Sequence, residues 1–393
     1  MISNLSGSLK SNIWKLHLNT FFNEALFFIP ILVPFLKDFG FSMNQILLAE
    51  AAYSLTLVFL EVPSGYFADR YGRKTSIIIG SIFNVIGFTL YATFQNFWQF
   101  VLANIVIGIG IAFVSGADSA LLYESLEQIK QTKLFKKAQG TNFAFGRLSS
   151  IVSTLLGGWL VTVSPRLPFY LTIVPIGLIL LISLTLKETK IHHEIHEVWP
   201  HFKEIVKDSL VINKKLRNFL FFTSVTGFFT LGFFLNQDYM SFIGLPLVYF
   251  GLVVAAMSFS SGFFAKYATQ IEARAGKGLS LMAMPILTAF AWLGMAIFTD
   301  FWILPLLLVS SAMWGFSTPI FADFIYDIVS KDRRATVMSI MSLMRRLAFA
   351  LFAPIAGYFA DVFSIREALL LSATILLALS VISLLSLRRV KVL

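Results

Sequence analysis

Long apolar runs separated by short polar segments repeat along the whole chain. Each run has about 20 residues, enough for a helix that rises about 1.5 Å per residue to cross a hydrocarbon core of about 30 Å. The pattern therefore predicts an all-α integral membrane protein. It contains twelve predicted spans, at residues 13–36, 44–67, 75–94, 97–121, 138–163, 167–187, 216–240, 244–267, 279–298, 301–327, 335–360 and 365–387.

The longest polar stretch, residues 188–215, leaves six predicted spans on either side. We therefore expect an N-terminal six-helix bundle at 1–187, a cytoplasmic linker, and a C-terminal six-helix bundle at 216–393. Between residues 197 and 210 the linker mixes apolar residues with Lys and Glu. This mixture is typical of an amphipathic helix on the membrane surface, and a disordered tether is the alternative.

The two halves also echo each other. Phe97-Trp98 opens the fourth span as Phe301-Trp302 opens the tenth, and Ala117-Asp118 is matched by Ala322-Asp323. These echoes favour two pseudo-symmetric bundles. The first span is long and polar in places, with no small-residue cleavage site after it, so we do not expect it to be a signal peptide.

Composition supports a membrane protein, since only 13% of the residues are charged and 57% are hydrophobic. Soluble proteins carry about 25% charged residues. The net charge of +10 does not indicate nucleic-acid binding, because most of the 31 Lys and Arg residues lie in the termini or in alternate loops. Under the positive-inside rule this distribution predicts a cytoplasmic-membrane protein with both termini in the cytoplasm.

The sequence gives little support for a metal site, for thiol chemistry or for an enzyme. The chain has no cysteine, which excludes disulfides and zinc-thiolate sites. The linker contains four of the five histidines, but their spacing matches no standard ligand motif, so we predict a solvated linker and no metal or cofactor: His192, His193, His196 and His201. No phosphate-binding loop for ATP and no catalytic triad or carboxylate dyad is recognisable, so we expect no enzyme.

Residues 65–74, here called the hairpin, form a short basic turn between two apolar runs. Their pattern Gly-x-x-x-Asp-Arg-x-Gly-Arg-Lys closely resembles the loop between helices 2 and 3 of the major facilitator superfamily of secondary transporters. The resemblance implies two six-helix bundles around a central cavity and transport by alternating access. It also implies that Asp69, Arg70 and Arg73 gate the inner mouth, and that Asp118 can meet Arg73.

The likeness is greatest to bacterial drug and metabolite transporters, with two departures. Asn104 stands where many proton-coupled exporters have an arginine, four residues before a Gly-x-Gly. Gly157-Gly158 lacks the proline that drug antiporters usually carry in helix 5. Both departures put drug antiport by the usual residues in doubt.

Several ionisable residues lie inside predicted spans, where a charge costs several kcal/mol unless it has a partner or faces water. Counting residues from the loops places Asp118 and Arg147 at one depth, and Asp323 and Arg346 at another common depth, which predicts two Asp–Arg pairs. These pairs either lock helix ends during the transport cycle or leave the arginines to bind an anionic solute. We favour gating for the aspartates and leave the arginines open.

Glu24 lies near mid-membrane, and no basic residue of its own span shares its depth. Burial then favours proton binding near neutral pH, so we predict that Glu24 couples transport to protons or contacts the solute. The alternative is a carboxyl permanently hydrogen-bonded to another helix. Glu61, before the hairpin, is expected to organise the cytoplasmic helix ends, and Asp69 is expected at a helix N-terminus.

Polar and aromatic side chains inside the spans are candidates for lining the cavity: Asn23, Tyr53, Asn104, Gln237, Asp238, Trp292 and Trp314. The aromatic share, 15% of the chain, favours an amphiphilic or aromatic organic solute over a sugar. We expect a monomeric, proton-coupled exporter in the lipid bilayer. Import of a metabolite or siderophore-like anion is one alternative, and a membrane sensor or scaffold that does not transport is another.

Overall fold

A computed structural model describes residues 2–189, 198–330 and 333–390. This part of the chain is helical, without strands. Its helices are α1 (Ile2–Asn23), α2 (Leu32–Asp38), α3 (Met43–Tyr71), α4 (Arg73–Thr93), α5 (Phe97–Val114), α6 (Ala117–Gln128), α7 (Phe135–Leu160), α8 (Leu167–Thr185), α9 (Val198–Lys207), α10 (Lys214–Val225), α11 (Phe228–Phe242), α12 (Leu247–Ala275), α13 (Lys277–Ile297), α14 (Pro305–Ile328), α15 (Arg334–Val362) and α16 (Ile365–Arg389).

Within the described residues, eleven helical segments are long and apolar enough to cross a membrane. The prediction of an all-α membrane protein is confirmed, but the count of twelve is not met, because the first predicted span is split. Its helix α1 ends at Asn23, and a 3₁₀ turn at Ile29–Ile31 leads into the short α2. Pro30 lies in this turn, where its missing N–H interrupts helical hydrogen bonding.

Two predicted spans are single runs by hydropathy but two helices in the structure. The fourth is divided between α5 and α6 at Ser115-Gly116, where Gly116 has a φ of 79° that favours glycine. The seventh is divided between α10 and α11 at Thr226-Gly227. Hydropathy does not detect such breaks, since apolar residues continue through them.

The chain forms two compact units. One comprises Met1–Pro30 and Leu55–His196, and the other comprises Ile31–Ser54 and Glu197–Leu393. Residues 31–54 are therefore grouped with the later helices. The division into six-helix bundles at the linker stays a prediction about domains.

In the first unit, α4 and α5 pack closely because small residues face each other. A Cβ atom at Gly80 would lie 2.6 Å from the carbonyl oxygen of Gly110, and one at Gly87 would lie 2.6 Å from the side chain of Ile107. Contacts this short exclude any larger side chain without movement of the helices. Helix α1 packs on α6, α7 and α8.

In the second unit, Phe219, Phe321 and Ile325 belong to a buried core formed by α10, α14 and α15. The linker helix α9 joins this core through Ile205, which is buried. Arg333 pairs with Glu204 at 3.4 Å and with Asp208 at 3.1 Å. The described part of the linker thus contains a helix that packs within the second unit. Its place on the membrane surface stays a prediction. His192, His193 and His196 lie outside the described residues, as does the side chain of His201.

Candidate functional site

The break in the first span brings Glu24 against the middle of α7. Arg147 donates a hydrogen bond from Nη2 to Oε2 of Glu24 across 3.2 Å. The two side chains are 32% and 35% exposed, so the ion pair is accessible and not sealed in the core. The guanidinium also lies over the ring of Phe143, 5.6 Å from its centroid. The pair is therefore a partly exposed charge pair on α7, which belongs to a segment long and apolar enough to cross a membrane.

Glycines on α7 allow the broken segment to approach this closely. A Cβ atom at Gly146 would lie 3.3 Å from Cγ of Glu24, and one at Gly157 would lie 1.9 Å from the carbonyl oxygen of Phe27. The sequence therefore places small residues on α7 where the chain leaves the helical path. Gly157, noted for its departure from the drug-antiporter pattern, serves this packing.

Hydroxyl groups replace the hydrogen bonds that the broken helix lacks. Ser153 donates to the carbonyl of Glu24 at 3.3 Å, and the N–H of Phe27 donates to Oγ1 of Thr172 at 3.1 Å. Backbone polar groups at membrane depth need such partners, because lipid offers none. The break is consequently a supported feature of the unit, and it fixes the position of Glu24.

The predicted pair between Asp118 and Arg147 is wrong. Asp118 lies in the first turn of α6, and its Oδ1 accepts a hydrogen bond from the N–H of Ser119 at 2.6 Å. The break at Gly116 creates a helix N-terminus, where a carboxylate is favourable. Counting depth along an uninterrupted helix missed this terminus, and Arg147 pairs with Glu24 instead.

The hairpin is held by Arg73, which binds two carboxylates. Its Nη2 lies 2.5 Å from Oδ1 of Asp69, and its Nε lies 3.3 Å from Oε1 of Glu124. Glu124 is buried on α6, so Arg73 links the hairpin to that helix. The expected partner from the superfamily pattern, Asp118, is replaced by Glu124, two turns further along.

Asp69 does not lie at a helix N-terminus, contrary to expectation, because it belongs to the last turns of α3. The N-terminus of α4 is occupied by Glu188, whose Oε2 accepts from the N–H of Lys74 at 3.1 Å. Gly72 leaves room for it, since a Cβ atom there would lie 2.3 Å from the Glu188 carboxylate. The start of the linker thus completes the hairpin.

Arg70 and Glu61 are the two other residues of α3 with a predicted gating role. Arg70 is exposed and donates to the hydroxyl of Tyr66 at 3.0 Å on its own helix. Glu61 is half-buried within α3, and its carbonyl accepts from Ser64 at 3.2 Å. The gating roles of both residues remain predictions.

The second unit contains a cavity of about 390 Å³, here called the arginine cavity, which is lined by helices long and apolar enough to cross a membrane. Arg345 and Arg346 of α15 line it together with Glu50 and Tyr53 of α3, and Arg346 lies beside the Tyr53 hydroxyl. The remaining lining residues are Ser54, Thr230, Phe234, Trp314, Thr318, Ser342 and Phe349. Tyr53, Trp314 and Arg346 were predicted to belong to the functional site, and the structure brings them together.

The break between α10 and α11 gives this cavity its shape. A Cβ atom at Gly227 would lie 2.4 Å from the carbonyl oxygen of Arg345, so the break contacts α15 directly. Thr230 and Phe234 follow on α11 and line the cavity wall. A helix interruption and a glycine contact thus accompany an intramembrane arginine here, as they do at Glu24.

The predicted pair between Asp323 and Arg346 is also wrong. Asp323 is exposed on α14. It lies near Glu272 at the end of α12 and near Lys277 at the start of α13. Arg346 faces the arginine cavity. Equal depth did not specify which way each side chain points around its helix, and the two point to different surroundings.

A second cavity in the same unit, of about 460 Å³, is lined by Lys37, Asp238 and neighbouring residues. Lys37 forms an ion pair with Asp238. Close by in sequence, Gln237 accepts the N–H of Val33 at 3.0 Å. The carboxylate of Asp361 accepts the N–H groups of Met43 and Asn44, both at 2.7 Å.

The other cavity candidates lie elsewhere. Asn104 is buried and donates to the carbonyl of Phe100 in its own helix at 3.0 Å. Trp292 is buried in the core of the second unit against Gly232. Asn23 is exposed at the end of α1. None of the three lines either cavity of the second unit.

Four residues with roles in the structure were not predicted as site residues from the sequence: Glu50, Glu124, Glu188 and Asp361. A signal for Glu50 was present, because it is an ionisable residue inside the predicted span 44–67. Glu124, Glu188 and Asp361 lie near the ends of predicted spans, where carboxylates are common. Their roles depend on helix termini that hydropathy does not locate.

Comparison with known proteins gives the chain a family. The model of the Major Facilitator Superfamily matches residues 16–353 and 218–392. The quinolone resistance protein NorA of Staphylococcus aureus is 28% identical over 156 residues, which are 38% of this chain and 39% of NorA. An uncharacterised transporter of Buchnera aphidicola is 24% identical over 243 residues, 59% of each chain. The chain thus matches these curated relatives over about two fifths to three fifths of their length.

Solved transporters share the fold. A crystal structure of the nucleoside transporter NupG has a TM-score of 0.80 and 16% identity, covering 95% of this chain and 99% of that one. A bacterial homologue of the human lysosomal transporter Spinster has a TM-score of 0.73 and 16% identity, covering 98% and 97%. The resemblance drawn from the hairpin is confirmed, and the chain belongs to the major facilitator superfamily of multi-pass membrane transporters and is not an enzyme.

Proposed function

We propose that this protein is a secondary transporter that exports a small amphiphilic or aromatic organic solute, driven by protons. The observation that carries the proposal is the ion pair of Glu24 and Arg147, which lies at membrane depth beside a helix break and is about one third exposed. An ionisable residue in this setting is a functional candidate by default. In this proposal the family accounts for transport by alternating access, and the ion pair couples that transport to protons.

The pair suits coupling because its stability depends on one proton. When Glu24 is charged, it neutralises Arg147 across 3.2 Å. When a proton binds, the attraction is lost and the guanidinium is free to take another anionic partner. A ligand shifts a conformational equilibrium only by its differential affinity for the two states. A proton that binds better in one state than the other meets this requirement.

Export is favoured by one comparison. The curated relative NorA is named for quinolone resistance, and its match to this chain covers 38% of the residues here. Export of an aromatic organic compound agrees with the aromatic lining of the arginine cavity. Import of an anionic solute is the second candidate, because Arg345 and Arg346 line that cavity without an ion pair in the described part of the chain.

The positive-inside pattern supports an orientation with both termini and the hairpin in the cytoplasm of a cell whose cytoplasmic membrane holds the protein. In that orientation Lys37, Asp238 and Asp361 lie at the external ends of their helices. The hairpin contacts of Arg73 would act at the internal side.

Flux measurements test the proposal. Purified protein is reconstituted into liposomes with a defined pH gradient, and uptake of radiolabelled or fluorescent solutes is followed in both membrane orientations. We expect gradient-dependent accumulation of at least one aromatic amphiphile, in the direction of export. Equal accumulation with and without the gradient would contradict proton coupling, and gradient-driven accumulation in the opposite direction would support import.

A further inference from the structure

The arginine cavity contains three ionisable side chains that the coupling pair does not use. Arg345 and Arg346 are neighbours on α15, and Glu50 approaches from α3. Across residues 2–189, 198–330 and 333–390, neither arginine has a carboxylate partner within salt-bridge distance, and Glu50 has no hydrogen bond to another side chain or to the backbone. Nε of Arg346 is buried without a hydrogen-bond acceptor.

This arrangement is unfavourable unless a further group enters it. A charge at membrane depth costs several kcal/mol when it is not compensated, and two adjacent guanidinium groups repel each other. A guanidinium binds a carboxylate or similar oxyanion with two parallel hydrogen bonds. A carboxylate such as Glu50 accepts hydrogen bonds from an ammonium group. The cavity therefore offers complementary positions for both signs of charge.

Aromatic side chains form much of the remaining wall. Phe234, Trp314 and Phe349 line the cavity, and Trp314 is 43% exposed. The volume of about 390 Å³ lies in the range of small-molecule sites, about 300–1,000 Å³. Aromatic walls bind planar apolar groups and also attract cations to their faces. The cavity is large enough for one or two aromatic rings with polar substituents.

We propose that the arginine cavity binds an aromatic zwitterion, with Arg345 and Arg346 holding its carboxylate-type oxyanion and Glu50 holding its ammonium group. This inference rests on the proposed transport function and adds the substrate class. A solute carrying both charges compensates all the unpaired groups of the cavity at once. A monoanion leaves Glu50 without a partner, and a monocation leaves the arginines without one.

The test measures binding to the full-length purified protein in lipid nanodiscs by calorimetry, with no gradient present. Two zwitterionic probes are used, naphthylalanine with adjacent charges and aminomethyl-biphenyl-carboxylate with charges at opposite ends. Each is compared with its methyl ester, which lacks the negative charge, and with its N-acetyl derivative, which lacks the positive charge. We expect at least one zwitterion to bind about tenfold or more tightly than both derivatives, as charge-assisted hydrogen bonds imply.

Variants assign the charges to residues. Glu50→Gln should remove the preference for the zwitterion over the N-acetyl derivative and leave the preference over the ester. Arg345→Gln and Arg346→Gln should each reduce the preference over the ester, and Arg345→Lys should retain part of it. Glu367→Gln and Arg389→Gln, which remove the same charges elsewhere in the second unit, should change neither preference. For Glu50→Gln, unchanged binding of the N-acetyl derivative shows that the variant is folded. For the arginine variants, unchanged binding of the methyl ester shows the same.

The inference would be overturned if the wild-type protein bound each zwitterion, its methyl ester and its N-acetyl derivative with equal affinity. It would also be overturned by a loss of affinity for all three compounds alike in Glu50→Gln while that variant elutes as the folded protein. If these results accompanied gradient-driven flux of another solute, the substrate class would be rejected and the transport function retained. If the zwitterion preference held but no solute were transported, the site would stand and the proposed transport would fail.

Discussion

A hydrogen bond of 3.2 Å joins Arg147, on α7, to Glu24, in the break of the first predicted span. Both residues belong to the first unit. The bond links the middle of α7 to a backbone segment that Ser153 and Thr172 hold in place. Because the pair is partly exposed, we expect a proton to reach the carboxylate. The cation comes from another helix, since no basic residue of the first predicted span shares the depth of Glu24. Loss of an ion pair is therefore the event that follows protonation.

Glu24→Gln should abolish accumulation driven by a pH gradient while leaving exchange of solute across the membrane intact. The amide keeps the shape of the carboxyl group but does not titrate, so no proton is carried. Uptake in proteoliposomes as a function of imposed gradient measures the effect. Glu367→Gln, an exposed carboxylate of α16, is the matched control and should behave as the wild type. Unaltered gradient dependence in Glu24→Gln would remove Glu24 from coupling.

Arg73→Ala should slow turnover without changing which solutes are accepted. Arg73 links Asp69 and Glu124, and each charge-assisted contact contributes about 1.5–3 kcal/mol. A shift of 1.4 kcal/mol between conformations changes their ratio about tenfold. Arg70→Ala is measured beside it, since Arg70 is exposed and in the described structure contacts only side chains of its own helix. A smaller effect in Arg70→Ala would assign the slowing to the carboxylate contacts of Arg73. A changed solute preference in Arg73→Ala, with normal turnover, would place the hairpin in the binding site.

Gly315→Ala should destabilise the second unit, because a Cβ atom there would lie 2.0 Å from the carbonyl oxygen of Ser261 on α12. Overpacking of a close contact costs about 1–3 kcal/mol. Gly262→Ala, beside that same serine, has no atom within 4 Å of the new methyl group and should be neutral or slightly stabilising. Thermal unfolding of both variants in detergent gives the comparison. Equal melting temperatures would show that α12 and α14 can separate at little cost.

Asp361→Ala should loosen the start of α3, because the carboxylate binds the N–H groups of Met43 and Asn44. Loss of a helix cap costs about 0.5–2 kcal/mol. The chain has no native cysteine, so Met43→Cys provides a single reporter at a buried position. Its reaction with maleimide should be several-fold faster when Asp361 is also replaced. Glu367→Ala in the same reporter background should leave the rate unchanged, and equal rates in all three proteins would deny Asp361 a role in holding α3.

Lys136→Cys tests the orientation in the membrane. The residue is exposed at the start of α7, in a loop that the positive-inside pattern places in the cytoplasm. In intact cells it should be protected from an impermeant thiol reagent and should react after the cells are opened. A cysteine at Ser164, in the loop between α7 and α8, should react from outside. The opposite result at both positions would show that the chain lies in the membrane with its termini outside the cytoplasm.

Local features of the sequence were sufficient for much of the fold. The helices α3, α4 and α8 fall close to predicted spans, because about 20 consecutive apolar residues define a membrane helix without reference to any other element. The hairpin was recognised for the same reason, as its glycines and charges are adjacent in the chain. Helix ends were less predictable, and α12 continues eight residues beyond its predicted span to Ala275.

The sequence by itself determined that the chain is an α-helical membrane protein with the hairpin of the major facilitator superfamily, and which ionisable residues lie in its predicted spans. Only the tertiary structure decided their partners: Glu24 with Arg147, Arg73 with Glu124, and Glu50 in one cavity with Arg345. The physical reason is that helix breaks change both the depth and the direction of a side chain. Apolar composition continues through such breaks, so only packing between helices distant in sequence shows which charges meet.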